Sequence, residues 1–120
     1  MSPKPKRELA RQHLETARED LEGGRHADAL NALFYAAESA AVWLADRNGM
    51  PTEQKHWLKA EAVSELHRRG VVRSDFGGLL RQLNQGRKDY WYDGEEIDPD
   101  EVEQLLSGVE ALVEDAEADQ

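Results

Sequence analysis

The chain has 120 residues, no cysteine and a formal net charge of −10. That length suits one domain around one core, and the missing thiols exclude disulfides, thiolate metal sites and a thiol nucleophile. The acidity opposes long-range attraction to phosphate and excludes a general DNA binder.

The first helical pattern follows Pro3 and Pro5 and ends at Gly23-Gly24, with Ala10, Leu14, Ala17 and Leu21 on one stripe. A second segment runs from about Ala27 to Asn48 and stops at Gly49. Ala29, Leu30, Leu33, Phe34, Ala36, Ala37, Ala40, Ala41, Val42 and Leu44 make it apolar nearly all round, which fits a central helix or one that also faces a partner. Its polar line is Asn31, Tyr35 and Glu38. That line reads either as an exposed edge or as the place where Glu38 is the carboxylate that balances Arg87.

Pro51-Thr52 is expected to open a third helix, with Leu58, Ala62 and Leu66 in register and Gly70 at its end. Trp57 lies about 100° from Leu58 and faces either a partner or the rim of the same core. Val71-Val72 is too short for a strand. Ser74 is a candidate cap for a fourth helix running to about Tyr90. Asp93-Gly94 is a turn signal. Asp98-Pro99-Asp100-Glu101 then combines an N-cap acid, proline at the first position and acids in the first turn. Val102, Leu105, Leu106, Val109, Leu112 and Val113 form the stripe of that fifth helix. The expected fold is all-α, a five-helix antiparallel up-and-down bundle in a single domain over residues 1–120. No apolar run approaches the roughly 20 residues that cross a bilayer. The charged start of the chain lacks the apolar stretch of a signal peptide, so a cytoplasmic protein is expected.

Charge is unevenly spread. Residues 91–120 hold 12 acids and no basic residue, whereas residues 1–90 hold all 15 basic residues and 13 acids. The acidic end reads as a solvated helix face with a frayed tip, and a local basic site remains open within the first 90 residues.

Phe76, Leu79, Leu80 and Leu83 lie on one helix side, and Arg87, 11 residues after Phe76, falls about 20° off the same line. A guanidinium in an apolar seam is costly unless it is paired, snorkels past the core or faces a site. Tyr90, Trp91 and Tyr92 follow within five residues. Phosphate loops, Gly-x-Gly-x-x-Gly motifs and nucleophile elbows are absent from the sequence. His56 and His67 share a helix face 11 residues apart, too far for one metal ion, so neither a metal nor a cofactor is expected.

The run from Ala27 to Ala41, the following Gly49, His56 early in the next helix, Gly70, the Leu79-Leu80-Leu83 stripe and Arg87 together resemble the HEPN family, the higher eukaryote and prokaryote nucleotide-binding domain, over roughly residues 8–116. The resemblance implies a helical domain that forms a homodimer. It also implies a toxin-like component acting on RNA, held in check by a minimal nucleotidyltransferase partner. In the family's metal-independent RNases an arginine is followed four to six residues later by a histidine, and the site is shared across a dimer. Arg87 matches the arginine. No histidine follows it, and Tyr92 stands at the plus-five position, as in a branch with tyrosine there. Tyrosine, with an ordinary pKa near 10, is a poor general base at neutral pH. The resemblance thus implies Arg87 and Tyr92 as catalytic candidates, and Arg87 is expected at a dimer cleft with Glu38 in reach and Tyr90, Trp91 or Tyr92 lining it, as residues that bind a ligand or carry a modification. The alternative is a non-catalytic dimer that binds a nucleotide or a protein as a regulatory module.

Overall fold

The computed structural model describes residues 4–119 and contains five helices, with no strand among the described residues. They are α1 (Lys6–Glu22), α2 (His26–Arg47), α3 (His56–Arg68), α4 (Gly77–Trp91) and α5 (Pro99–Ala118). None is long and apolar enough to cross a membrane.

The all-round apolarity of α2 has a direct structural consequence. It is the central helix and packs against each of the other four. Alanines at 29, 32, 36, 37, 40, 41 and 45 are buried, and with no side chain beyond Cβ they let neighbours approach its backbone. Leu33 and Leu44 are fully buried among the larger side chains. The apolar stripes on the other helices close the core, through Leu14 of α1, Val63 and Leu66 of α3, Leu80 and Leu83 of α4, and Leu112 and Val113 of α5. Leu33→Ala is expected to cost about 2–5 kcal/mol, because it adds a cavity to the lost burial. The check is urea denaturation, where the midpoint should fall with little change in slope.

Two helix starts differ from the sequence expectation. The third helix begins at His56, not at Pro51-Thr52. Glu53 and Gln54 adopt left-handed φ angles of 48° and 59°, which no helix accommodates, and the Lys55 amide donates to the Thr52 carbonyl at 2.8 Å to close a turn. The fourth helix starts at Gly77 after Phe76 at its N-cap position, and the side chain that receives its first amide is Asp75, not Ser74. Its Oδ1 accepts the Gly77 amide at 3.0 Å and the Ser64 hydroxyl at 2.6 Å. Both donors hold the Asp75 carboxyl below its ordinary pKa, the Ser64 hydroxyl most. Gly77 lies where α4 meets α3, and a Cβ there would come within 2.9 Å of the Ala60 carbonyl oxygen. The fifth helix starts as its sequence reads, with Asp98 accepting the Asp100 amide at 3.0 Å.

The acidic end forms a largely solvent-exposed helix face, and its last residue lies outside the described residues. α5 continues to Ala118, and two arginines of α1 and one from the loop before α4 hold some of its acids. Arg11 forks onto Glu117, with Nε donating to Oε2 at 2.9 Å and Nη2 to the other oxygen. Arg18 meets Glu110 at 2.9 Å, and Arg73 reaches Asp115 at 2.8 Å. The surplus of acids in residues 91–120 is thus partly matched by arginines of the basic half.

The Arg11 hydrogen bond, helped by the nearby charges of Arg11, Arg7 and Arg18, holds the Glu117 carboxyl below its ordinary value against the opposing effect of burial. A carboxyl with a depressed folded pKa stabilises the protein above the unfolded value, about 4.3 for glutamate, and that contribution is lost as pH falls through the folded one. The thermal midpoint should therefore decline below about pH 4. Glu117→Gln should be less stable at neutral pH and show a shallower acid decline. Equal slopes for both proteins would refute the assignment.

Candidate functional site

Three helices meet around the side chain of Phe34, and a fourth reaches its neighbour Tyr35. On α2, Phe34 and Glu38 are four residues apart and share a face. α3 starts opposite that face, and its first turn presents His56 and Lys59, three residues apart. α4 brings Arg87 one turn before its end, and α1 contributes His13 beside Tyr35.

Glu38 is the only acid in the apolar body of α2, and it is 9% exposed. Its Oε1 accepts from Lys59 Nζ at 3.0 Å and its Oε2 from His56 Nδ1 at 2.9 Å. Lys59 is itself 8% exposed, so the pair is a buried ion pair in which each charge cancels the other's desolvation. An ionised carboxylate can only accept hydrogen bonds. The proton between them therefore sits on His56 Nδ1, and in the neutral ring the lone pair is on Nε2. His56 Nε2 is buried and has no partner among the described residues.

Arg87 lies with its guanidinium carbon 4.2 Å from the centre of the Phe34 ring. The ring's negative face attracts the cation, and the flat guanidinium stacks well on it. Arg87 Nη2 donates to Asn84 Oδ1 at 3.4 Å, a long contact, and Nε is buried without a partner. The His56 ring also packs on Phe34, 5.9 Å between centres and 29° between planes. One phenyl ring thus carries both a guanidinium and an imidazole, drawn from different helices. Tyr35 meets Phe34 edge-on at 5.5 Å and His13 at 5.7 Å. Burial, with Lys6 nearby, lowers the His13 pKa. A cleft of about 230 Å³ opens beside this cluster, lined by Lys6, Tyr35, Glu38, Gln54 and Lys59 among others.

The structure corrects one expected pairing. Glu38 does not balance Arg87 within the chain, because Lys59 on α3 occupies one carboxylate oxygen and His56 the other. Arg87 instead rests on aromatic carbon, and no carboxylate pairs with it among the described residues.

The three aromatics after Arg87 do not join it on Phe34. α4 continues through Trp91, one residue past the expected end, and Tyr92 is its C-cap residue, 73% exposed. Tyr90 and Trp91 meet edge-on at 4.9 Å and line a separate open cleft with Arg25, His26, Asp28 and Ile97. Tyr35, Trp57, Trp91 and Tyr92 are the exposed large hydrophobics of the described residues.

The sequence reading passed over Lys59 and the partnership of His56. A signal was present: a histidine and a lysine one helical turn apart, with a single carboxylate in an otherwise apolar helix needing a cation.

The family model described as HEPN domain matches residues 7–118. No curated protein matches the chain.

Proposed function

Because the chain belongs to the HEPN domain family, we propose that it is the toxin-like member of a pair with a minimal nucleotidyltransferase and acts on RNA through the surface around Arg87. The observation that carries this reading is the guanidinium of Arg87, held on the Phe34 ring with no carboxylate to neutralise it. A cation fixed in this way has hydrogen-bond donors to offer a phosphate oxygen. Lys6 and Tyr35 beside the neighbouring cleft add a positive charge and a ring on which a base can stack.

The test is expression of the chain with and without a small nucleotidyltransferase encoded beside it, scored by growth and by RNA integrity. Growth arrest with RNA loss, relieved by the partner, supports the reading. Unchanged growth and intact RNA at high expression overturn it.

A second reading, a non-catalytic dimer that binds a nucleotide or protein as a regulatory module, is favoured by one observation. Tyr92, which stands where the family's motif histidine would be expected, is 73% exposed, away from the Phe34 cluster. Both readings include a homodimer and a cytoplasmic protein. The exposed Tyr35, Trp57, Trp91 and Tyr92 are of the residue types enriched at interfaces. Light scattering at micromolar concentration should give about twice the chain mass of 13.6 kDa, and a steady monomer mass would refute the dimer.

A further inference from the structure

We propose that the groove where the end of α4 meets the loop before α5 docks a basic peptide segment of a partner protein, which places a leucine side chain on the apolar floor and arginines or lysines along the acidic rim. Neither Arg87 nor His56 lines this groove, so the inference is independent of the reading above.

The groove has two parts that share Tyr90 and Ile97 as walls. The inner part, about 90 Å³, is backed by Leu30, Val102 and Leu105, all buried. That is well below the roughly 300–1,000 Å³ of a small-molecule site and suits a single aliphatic side chain. The outer part, about 450 Å³, runs past Trp91 to the start of α2. Trp91 is 52% exposed, and tryptophan and tyrosine are among the residues that most often anchor an interface. Gly86 is an independent sign that the groove is open to a ligand. It lies inside α4, where glycine is less favourable than alanine. Its φ is not left-handed, and a Cβ there would meet nothing closer than Leu30 at 3.7 Å, an ordinary contact. Neither the backbone nor the packing of the chain therefore calls for glycine. A larger side chain would fill the inner part, which Gly86 and Leu30 both line.

The charges around the groove decide its occupant. Asp89, Glu95, Glu96, Asp98 and Glu101 line the inner part, and none is paired with a cation among the described residues. Asp89 and Glu101 accept from the neutral side chains of Gln85 and Gln82, and Asp98 caps α5. The far half of α5 is different, because Arg18, Arg73 and Arg11 hold Glu110, Asp115 and Glu117. Arg25 and His26 stand on the outer wall, and Asp20 holds Arg25 at 3.1 Å. Unneutralised acids thus gather where the apolar groove opens. Such a rim repels phosphate, whereas an arginine or lysine finds carboxylates for its tip and carbon for its stem. A nucleic acid is therefore the wrong occupant, and a segment that interleaves basic and leucine side chains is complementary in both charge and polarity.

The probe is a capped peptide of sequence Arg-Leu-Arg-Arg-Leu-Arg, titrated into the full-length ¹⁵N-labelled protein at physiological salt. The Trp91 indole signal should move, while those of Trp43 and Trp57, which line neither part of the groove, stay in place. Glu95→Gln combined with Glu96→Gln should weaken binding about tenfold. Glu110→Gln combined with Glu114→Gln removes the same charge from the far half of α5 and should change affinity by less than about twofold. Gly86→Leu should weaken binding by about tenfold or more with the helical spectrum retained, and the peptide with serine in place of leucine should bind about tenfold more weakly to the parent. If Gly86→Leu does not fold, the two glutamine pairs and the serine peptide decide the matter. Equal losses in the two glutamine pairs, or equal affinity for the serine peptide, reduce the surface to a general charge effect and overturn the proposal. It also fails if the peptide leaves Trp91 in place, or if an oligouridine RNA moves that signal as the peptide does. A Trp91 signal that moves with protein concentration alone places a second copy on the groove and overturns it as well.

Discussion

Glu38→Ala is expected to destabilise the protein by about 3–5 kcal/mol, the range for removing one partner of a buried ion pair. The cost arises from what is left behind. Lys59, 8% exposed, would keep its ammonium on the inner face of α3 with no counter-charge, and His56 Nδ1 would lose its acceptor. The companion variants separate this from simple loss of packing. Lys59→Met should cost less, since Glu38 retains the hydrogen bond from His56 and part of its solvent contact. Glu38→Met with Lys59→Met should recover much of the loss, because well-packed apolar groups replace a buried pair at little net cost. Urea denaturation of the parent, Glu38→Met, Lys59→Met and the double variant closes a double-mutant cycle, and the coupling between positions 38 and 59 should exceed about 1 kcal/mol. A Glu38→Ala protein within about 0.5 kcal/mol of the parent would show that the ammonium escapes to water and that the pair contributes little.

The local chemistry of the sequence accounts for most of the helical frame. Helix α5 is the clearest case, since Asp98, Pro99 and the acids of its first turn state a start that needs nothing from the rest of the chain. The end of α1 at Gly23-Gly24 and of α2 before Gly49 are likewise local, with Gly24 and Gly49 at φ values of 74° and 70°. The start of α3 was less legible. Proline followed by threonine resembles a helix opening, and the left-handed turn at Glu53-Gln54 leaves no composition signal, because neither residue is a usual occupant of that region.

The site was legible by residue and not by partnership. Arg87 and Glu38 stood out because each interrupts an apolar stripe, a conflict visible within a single helix. Which groups resolve that conflict depends on helix packing. Glu38 finds Lys59, 21 positions away, and Arg87 finds the ring of Phe34, a still more distant segment. Amphipathic periodicity specifies which face turns inward and says nothing of which residues meet there. The arginines that hold α5 were hidden for the same reason. Arg11 and Glu117 are 106 positions apart, and in sequence each belongs to an ordinary polar face.

Arg87 carries the last and most discriminating expectation. Its structural contribution should be modest. A cation on an aromatic face contributes about 0.5–1 kcal/mol when exposed and about 2 when desolvated, so Arg87→Ala should keep a helical circular dichroism spectrum and a cooperative melt. Its contribution to binding should be far larger. A hydrogen bond to a charged group contributes about 1.5–3 kcal/mol, so loss of the contact to one phosphate should weaken binding tenfold to a hundredfold or more. Arg87→Lys sharpens the comparison. Lysine keeps the positive charge and part of the attraction to the Phe34 ring, but it has neither the planar stack nor the two-pronged donor edge. Stability should therefore be nearly restored in Arg87→Lys while affinity for a ribonucleotide or RNA stays low. If Arg87→Ala instead unfolds the protein, and Arg87→Lys restores the fold and full ligand affinity together, Arg87 acts as a structural cation and the surface around Phe34 is not where the ligand binds.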